Sequence, residues 1–254
     1  MKTQTFCIGS IAACAMLLAL PAPAANVLHL IGGKNIPFKS IRWDATKGEF
    51  LVQPASGGDA VIPVAKKDVA RLELDPPAEM TQAQQLLAAN RNTEAIPLLQ
   101  TVVANCRGLN WDNTAREALA RIYVKGNEPE KAITMVDELL AAGVGASISS
   151  GLRTEYWKAL LAIDPKSAKA MKDLGEAIAT GPRDIVPVAL VMRGNLLRTA
   201  GRKENALQDY LRTILFFENA GAVRTEALTQ AIALLEEQGD ATRANELRQK
   251  LSQK

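Results

Sequence analysis

Histidine is almost missing from this chain: His29 is the only one among 254 residues. General-base chemistry at neutral pH most often uses an imidazole held by a positioned partner. His29 stands between Leu28 and Leu30 in an expected strand, with no nucleophile marked for it, and reads as a structural or surface residue. Cysteine is nearly as scarce. Cys7 and Cys14 fall within residues 1–24, so a chain trimmed there keeps only Cys106 and has no internal disulfide. A lone histidine and a lone cysteine do not make the cluster that zinc requires. Ser-x-x-Lys does not occur. Ile31-Gly32-Gly33-Lys34 lacks the spacing of a phosphate loop, precedes no helix, and reads as a hairpin turn. The chain is therefore read as non-catalytic, with no metal and no other cofactor. Charge of one sign is lacking too. The net charge is +3, too small to make nucleic acid or an anionic membrane the main partner. Aromatic residues make up only 4%, whereas Ala and Leu abound, which suits thin, closely packed helices.

Long hydrophobic runs are absent except at the start. Residues 6–20 form an apolar stretch shorter than the roughly 20 residues that cross a bilayer as a helix. It follows Lys2 and precedes Pro21-Ala22-Pro23-Ala24, where Ala22 and Ala24 offer the small side chains of a signal-peptidase site. Residues 1–24 are read as a signal peptide cleaved near Ala24. That predicts a periplasmic or extracellular protein with no transmembrane segment in the mature chain. The alternative is a membrane-anchored lipoprotein, because Ile11-Ala12-Ala13-Cys14 is similar to a lipobox with Cys14 as its lipid-bearing residue. Against it, residues 15–20 stay apolar where a lipoprotein tether is polar.

What is present falls into two periodicities. Residues 25–75 carry short, partly alternating segments: Val27-Leu28-His29-Leu30, Ser40-Ile41-Arg42-Trp43, Glu49-Phe50-Leu51-Val52, Ala60-Val61-Ile62-Pro63 and a last one running from Val69 to Leu74. Turn formers separate them at Gly32-Gly33-Lys34-Asn35, Lys47-Gly48 and Ser56-Gly57-Gly58-Asp59. This predicts a small antiparallel β domain, sheet or five-stranded barrel. Residues 76–78 are a proline-rich linker, since Pro76 and Pro77 supply no ladder donors. Residues 79–254 show helical spacing throughout. Thr81-x-x-Gln84 predicts a capping box, Asp112 a cap, Asp164-Pro165 a cap with its first-turn proline, and Gly239-Asp240 a break followed by a cap. Pro97 is tolerable only in a helix that begins near Asn92 or Thr93.

An internal period runs through the helical part. Ala95, Ala132, Ala170, Ala206 and Ala244 are separated by 37, 38, 36 and 38 residues, each early in a second helix. Leu119-Ala120-x-x-Tyr123 precedes Lys125-Gly126-Asn127 and then Ala132, Val136 and Leu139. Gly194-x-x-Leu197 likewise precedes Gly201, Ala206, Tyr210 and Thr213. This pattern resembles the tetratricopeptide repeat (TPR), which sets a small residue in the first helix, a large one three positions on, and a small one in the second helix. Ala120 with Ala132 and Gly194 with Ala206 match the small pair, and Tyr123 and Leu197 the large position. Around Ala170 the match is poor. Lys158 replaces the small residue, and the link rich in Gly and Ser before it is long, so a displaced third unit is expected. The resemblance implies a mainly α fold: a TPR-like α-solenoid of about five helix pairs behind the β domain. Ile31-Gly32-Gly33-Lys34, the Phe50 strand and the last strand of that domain are similar to an SH3-like or Sm-like barrel.

The family implies a concave face, lined by first helices, that takes a protein or peptide. Carried onto this chain, Glu117, Arg121 and Lys125 form one stripe, with Asn195 and Arg198 on the comparable stripe of the Gly194 unit. A solvated face with a Glu117–Arg121 ion pair, about 0.2–0.5 kcal/mol by itself, is the simpler reading of any single residue. Residues 188–250 resemble the last pairs of envelope-associated repeat proteins such as the Tol–Pal accessory factor, which implies an interaction scaffold of the cell envelope. The alternative is cell-wall or carbohydrate binding through the β domain. Self-association is a further reading, through an apolar end at Leu234, Leu235 and Leu247.

Overall fold

The computed structural model describes residues 26–145 and 148–252, which separate into two units, Met1–Asp75 and Pro76–Lys254. The signal-peptide and lipobox readings, including Cys14, lie outside the described residues.

The first unit is a five-stranded antiparallel sheet in the order β4-β3-β2-β1-β5. Its strands are β1 (Val27–Leu30), β2 (Asn35–Asp44), β3 (Glu49–Pro54), β4 (Ile62–Ala65) and β5 (Val69–Glu73). Side chains alternate across a strand, so Ile36 and Phe38 share the inner face with Phe50 and Val52, together with Leu28 and Val64. Ile31-Gly32-Gly33-Lys34 closes the β1–β2 hairpin, with Leu30 N–H donating to the Lys34 carbonyl at 2.8 Å and both glycines at positive φ. β2 is longer than the expected Ser40–Trp43 segment. It runs through Pro37, which is tolerated because β1–β2 pairing ends at Val27↔Pro37 and the register with β3 shifts between Phe38 and Ser40. The fourth strand starts later than expected, leaving Val61 exposed ahead of it.

The second unit is helical: α1 (Ala78–Ala88), α2 (Asn92–Asn105), α3 (Trp111–Lys125), α4 (Pro129–Ala141), α5 (Ser150–Ile163), α6 (Ala168–Thr180), α7 (Val186–Thr199), α8 (Lys203–Phe216), α9 (Ala222–Glu237) and α10 (Ala241–Ser252). They form five successive antiparallel pairs, each helix packed on the next. Four pairs share one turn. Its middle residue is left-handed (Asn90, Asn127, Gly201 or Gly239), and the next N–H donates back to a carbonyl of the first helix. The four bonds are Arg91 to Leu86, Glu128 to Tyr123, Arg202 to Leu197 and Asp240 to Leu235, at 2.8–2.9 Å. That closure is the standard way to satisfy the last carbonyls of a helix while reversing the chain. Met171 packs against two of the three hydrophobic clusters, and Val124 and Met135 also bridge two, so the interior is continuous from pair to pair.

The period residues sit where close packing needs them. Ala95, Ala120, Ala170, Ala206 and Ala244 are fully buried, Ala132 nearly so, and Tyr123, Leu197 and Tyr210 fill the spaces beside them. A methyl group on Gly194 would lie 2.6 Å from Cε1 of Tyr210, so only glycine permits that approach.

Several caps differ from the sequence reading. α1 begins at Ala78, so Thr81 does not cap it; its hydroxyl donates to the Pro77 carbonyl within the first turn. Asp112 lies inside α3 behind Asn110, drawn into an ion pair with Arg116 while accepting from Gly108 N–H. Ser167, not Asp164, caps α6, because the link there is one residue longer than in the other pairs and Asp164 closes a local turn with Lys166 N–H. Asp240 does cap α10, accepting from Arg243 N–H at 3.0 Å, and α2 begins at Asn92 with Pro97 inside it. Leu234, Leu235 and Leu247 make no exposed apolar end. They are 0%, 1% and 8% exposed where α9 and α10 pack together, and the outer face of α10 is polar, so this reason for self-association falls away.

Replacing Gly194 with Leu forces the buried Tyr210 ring aside. Chemical denaturation is expected to show a loss of about 1–3 kcal/mol, the usual cost of overpacking a tight core. An unchanged midpoint contradicts the packing described here.

Candidate interaction surface

First helices of neighbouring pairs touch directly, α3 with α5 and α7 with α9. On α3, the i, i+4 spacing brings Glu117 and Arg121 into an ion pair at 2.7 Å. The same guanidinium donates to Ser149 Oγ at 2.8 Å, and Ser149 in turn caps α5. Lys125 is exposed one turn on. Beside Glu117 opens a crevice of about 350 Å³ lined by Asn110, Asn113 and Thr114, with Leu139 and Ile148 supplying apolar wall.

The α7 residues of the expected stripe are placed differently. Asn195 donates to Glu226 Oε1 at 3.1 Å and accepts the Tyr210 hydroxyl at 2.7 Å. Arg198 donates to Gln230 Oε1 at 2.6 Å and pairs with Glu237, which Lys203 also holds at 2.9 Å. Hydrogen bonds from Lys203 and Arg198 draw the Glu237 carboxyl below its ordinary range. Asn195 and Arg198 are therefore struts between α7 and α9; Arg121 also reaches the cap of α5, yet it and Lys125 stay exposed, and Glu117 is half-buried. Glu117, Arg121 and Lys125 lie together on α3, and Asn195 and Arg198 lie on a separate helix.

The sequence reading missed a set of buried ion pairs inside the helix pairs. Arg193 grips Asp209 through Nε and Nη2, both at 2.7 Å, and the Asp209 side chain is 3% exposed. Arg153 grips Asp173 in the same two-pronged way, and Trp157 Nε1 donates to that carboxylate at 2.5 Å. Arg116 holds Asp112 and Glu138, both at 2.7 Å. Burial works against the Arg116 charge, but these two carboxylates outweigh it and raise its pKa. For Arg193 the Asp209 hydrogen bonds are the leading cause of the same rise. The available signal was Ala-x-x-Asp, which recurs at Ala170–Asp173 and Ala206–Asp209.

These pairs also correct the third unit. Aligning Arg153 with Arg193 puts Thr154, not Lys158, where Gly194 stands, and the buried Trp157 where Leu197 stands. The displacement is four residues, about one turn of helix. Lys158 points outward and pairs with Glu155 at 2.8 Å.

In the β unit, His29 Nδ1 lies 2.9 Å from Asn35 Oδ1, and its Nε2 is 3.4 Å from Glu73 Oε2. Among the described residues no group of three or more His, Cys, Asp and Glu side chains is arranged to hold a metal ion, and no helix is long and apolar enough to cross a membrane.

Two predictions follow from the buried polar groups. Asp209→Ala strands the Arg193 guanidinium and is expected to lower stability by about 3 kcal/mol, the scale for breaking one partner of a buried pair; equilibrium denaturation measures it. Burial pushes the Tyr210 phenol up to about 12, with Arg198 opposing and Glu226 and Asp209 assisting. An unfolded tyrosine releases its proton near pH 10. Between those values the unfolded chain has lost a proton that the folded chain keeps, so stability falls as pH rises. Tyr210→Phe is expected to decline less steeply over that interval in pH-dependent denaturation.

No family model matches the chain, and no curated protein matches it. Solved structures do. The crystal structure of MamA is 20% identical, with a TM-score of 0.52 over 66% of this chain and 91% of that one. A second MamA structure is 19% identical, with a TM-score of 0.52 over 68% of this chain and 87% of its own. YrrB, described as a TPR protein with an unusual peptide-binding site, is 18% identical, with a TM-score of 0.50 over 70% of this chain and 84% of its own. At such identity the likeness concerns the fold, which is that of a TPR protein.

Proposed function

We propose that the protein is a non-catalytic interaction scaffold of the periplasm or cell envelope, binding a protein or peptide segment along the first helices of its repeats. The observation that carries this reading is a five-pair helical stack whose apolar interior is satisfied internally. On its α3 stripe Arg121 and Lys125 are exposed and Glu117 is half-buried beside the 350 Å³ crevice. Polar side chains on rigid helices, next to a partly apolar crevice, suit recognition of a peptide backbone and its side chains. The likeness to YrrB, described as binding peptide, supports the same use of the fold.

Export is part of the proposal and rests on Lys2, the apolar run 6–20 and the Ala22-x-Ala24 site. The β unit is proposed to be an SH3-like or Sm-like module. Its meander from β1 to β4, with β5 returning beside β1, supports that reading.

A photo-crosslinking residue introduced at Glu117 or Lys125 in the full chain is expected to trap a protein in intact cells. The same residue at Gln249 on the outer face of α10 is expected to trap none. Equal adducts from all three positions, or none from any, overturn this placement.

A further inference from the structure

Arginine in the helical unit is mostly consumed by carboxylates: Arg116, Arg153, Arg193, Arg198, Arg243 and Arg248 all form ion pairs. Arg107, Arg183, Arg224, Arg202 and Arg212 form none among the described residues, and of these Arg202 and Arg212 stand together. Both are exposed, neither has an acidic partner among the described residues, and both line one cleft of about 230 Å³ along α8. They lie ten residues apart, about 15 Å along a helix rising 1.5 Å per residue. Between them Asn205 and Gln208 face the same cleft, exposed and without side-chain hydrogen bonds among the described residues.

The cleft also reaches Arg193. Asp209 occupies its Nε and Nη2, which leaves the two protons of Nη1 uncommitted. Asp209, the only carboxylate lining the cleft among the described residues, is thus neutralised and almost wholly covered. Met171 and Leu197 give the cleft an apolar component. The result is a lane with cations at its ends, amides in its middle and no free negative charge.

From this arrangement we infer that the α8 cleft binds an acidic polypeptide segment in extended form. In an extended chain, side chains four residues apart point the same way and lie about 13 Å apart, at roughly 3.3 Å per residue. That spacing matches Arg202 and Arg212. The amides of Asn205 and Gln208 each offer donors and an acceptor to the peptide groups in between. A single phosphate would engage only one end of the lane, and no aromatic side chain lines it to stack a nucleic-acid base. The lane belongs to a second helix, so it is independent of the first-helix stripe carrying Glu117 and Arg121.

The test uses the full mature chain and two fluorescein-labelled eight-residue peptides of equal charge, one with glutamates four residues apart and one with adjacent glutamates. Anisotropy is expected to show tighter binding of the spaced peptide. Arg202→Glu combined with Arg212→Glu is expected to weaken it by about tenfold or more. Asn205→Ala combined with Gln208→Ala, which changes no charge, is expected to weaken it less but measurably, and this variant decides the matter if the reversal disturbs folding. Arg121→Glu leaves it unchanged. Equal affinity for the two peptides, indifference to the α8 variants, or preferential displacement by inorganic phosphate over chloride at matched ionic strength overturns the proposal. Loss on Arg121→Glu alone also overturns it while leaving the first-helix reading intact.

Discussion

How closely the two helices of a pair can approach governs the rest of the helical unit. Packed helices ordinarily lie about 8–10 Å apart, depending on the side chains at the contact. At Gly194 the backbone of α7 comes so near the Tyr210 ring that no β-carbon fits. That approach puts the Tyr210 hydroxyl in reach of Asn195, and Asn195 in turn reaches Glu226 on α9. A small residue in one helix thus sets a large one in the second, and the large one positions a polar strut to the following pair. The buried Arg193–Asp209 and Arg153–Asp173 pairs work within the same geometry. Their two-pronged hydrogen bonds tolerate little sliding, so each fixes the register of its helix pair as well as neutralising its own charge.

Much of this is legible in the sequence, because small residues spaced at a repeat length leave a direct trace in the chain. The Ala95–Ala244 series, the large partners Tyr123 and Leu197, and the left-handed turns at Asn127 and Gly201 all lie close to one another in sequence within their units. What stayed hidden depends on contacts between segments. Asp112 looks like a cap until Arg116, which Glu138 also holds, draws it into an ion pair. Lys158 looks like a fault in the third repeat until Arg153 shows that α5 runs one turn further before its link. On the surface, spacing along α3 and α7 identified exposed polar stripes. How far each member is covered depended on the neighbouring helix: Gln230 and Glu237 of α9 span Arg198, whereas Arg121 stays half exposed over Ser149. The α8 lane carried no signal of its own, because Arg202, Asn205, Gln208 and Arg212 resemble any solvated helix face.

The distribution of charge follows from the same competition. Carboxylates and guanidinium groups of the helical unit mostly satisfy one another, within a pair or across the step to the next. The exposed pairs among them add little stability individually, but all of them withdraw charges from outside partners. A ligand meets most readily the groups left over, among them Lys125 on α3 and Arg202 and Arg212 beside α8.

The tail of the stack has a consequence for how it comes apart. α10 contributes Ala244 and Leu247 to the interior, with Leu251 packed at its edge, and turns most of its other side chains to solvent, so it shields Leu234 and Leu235 at small cost in area. In a linear array, cooperativity passes between neighbours, and the terminal element is held from one side alone. Among the described helices α10 is gripped chiefly by α9, so opening it disturbs fewer contacts than opening a helix in the middle of the array, which is clamped from both directions.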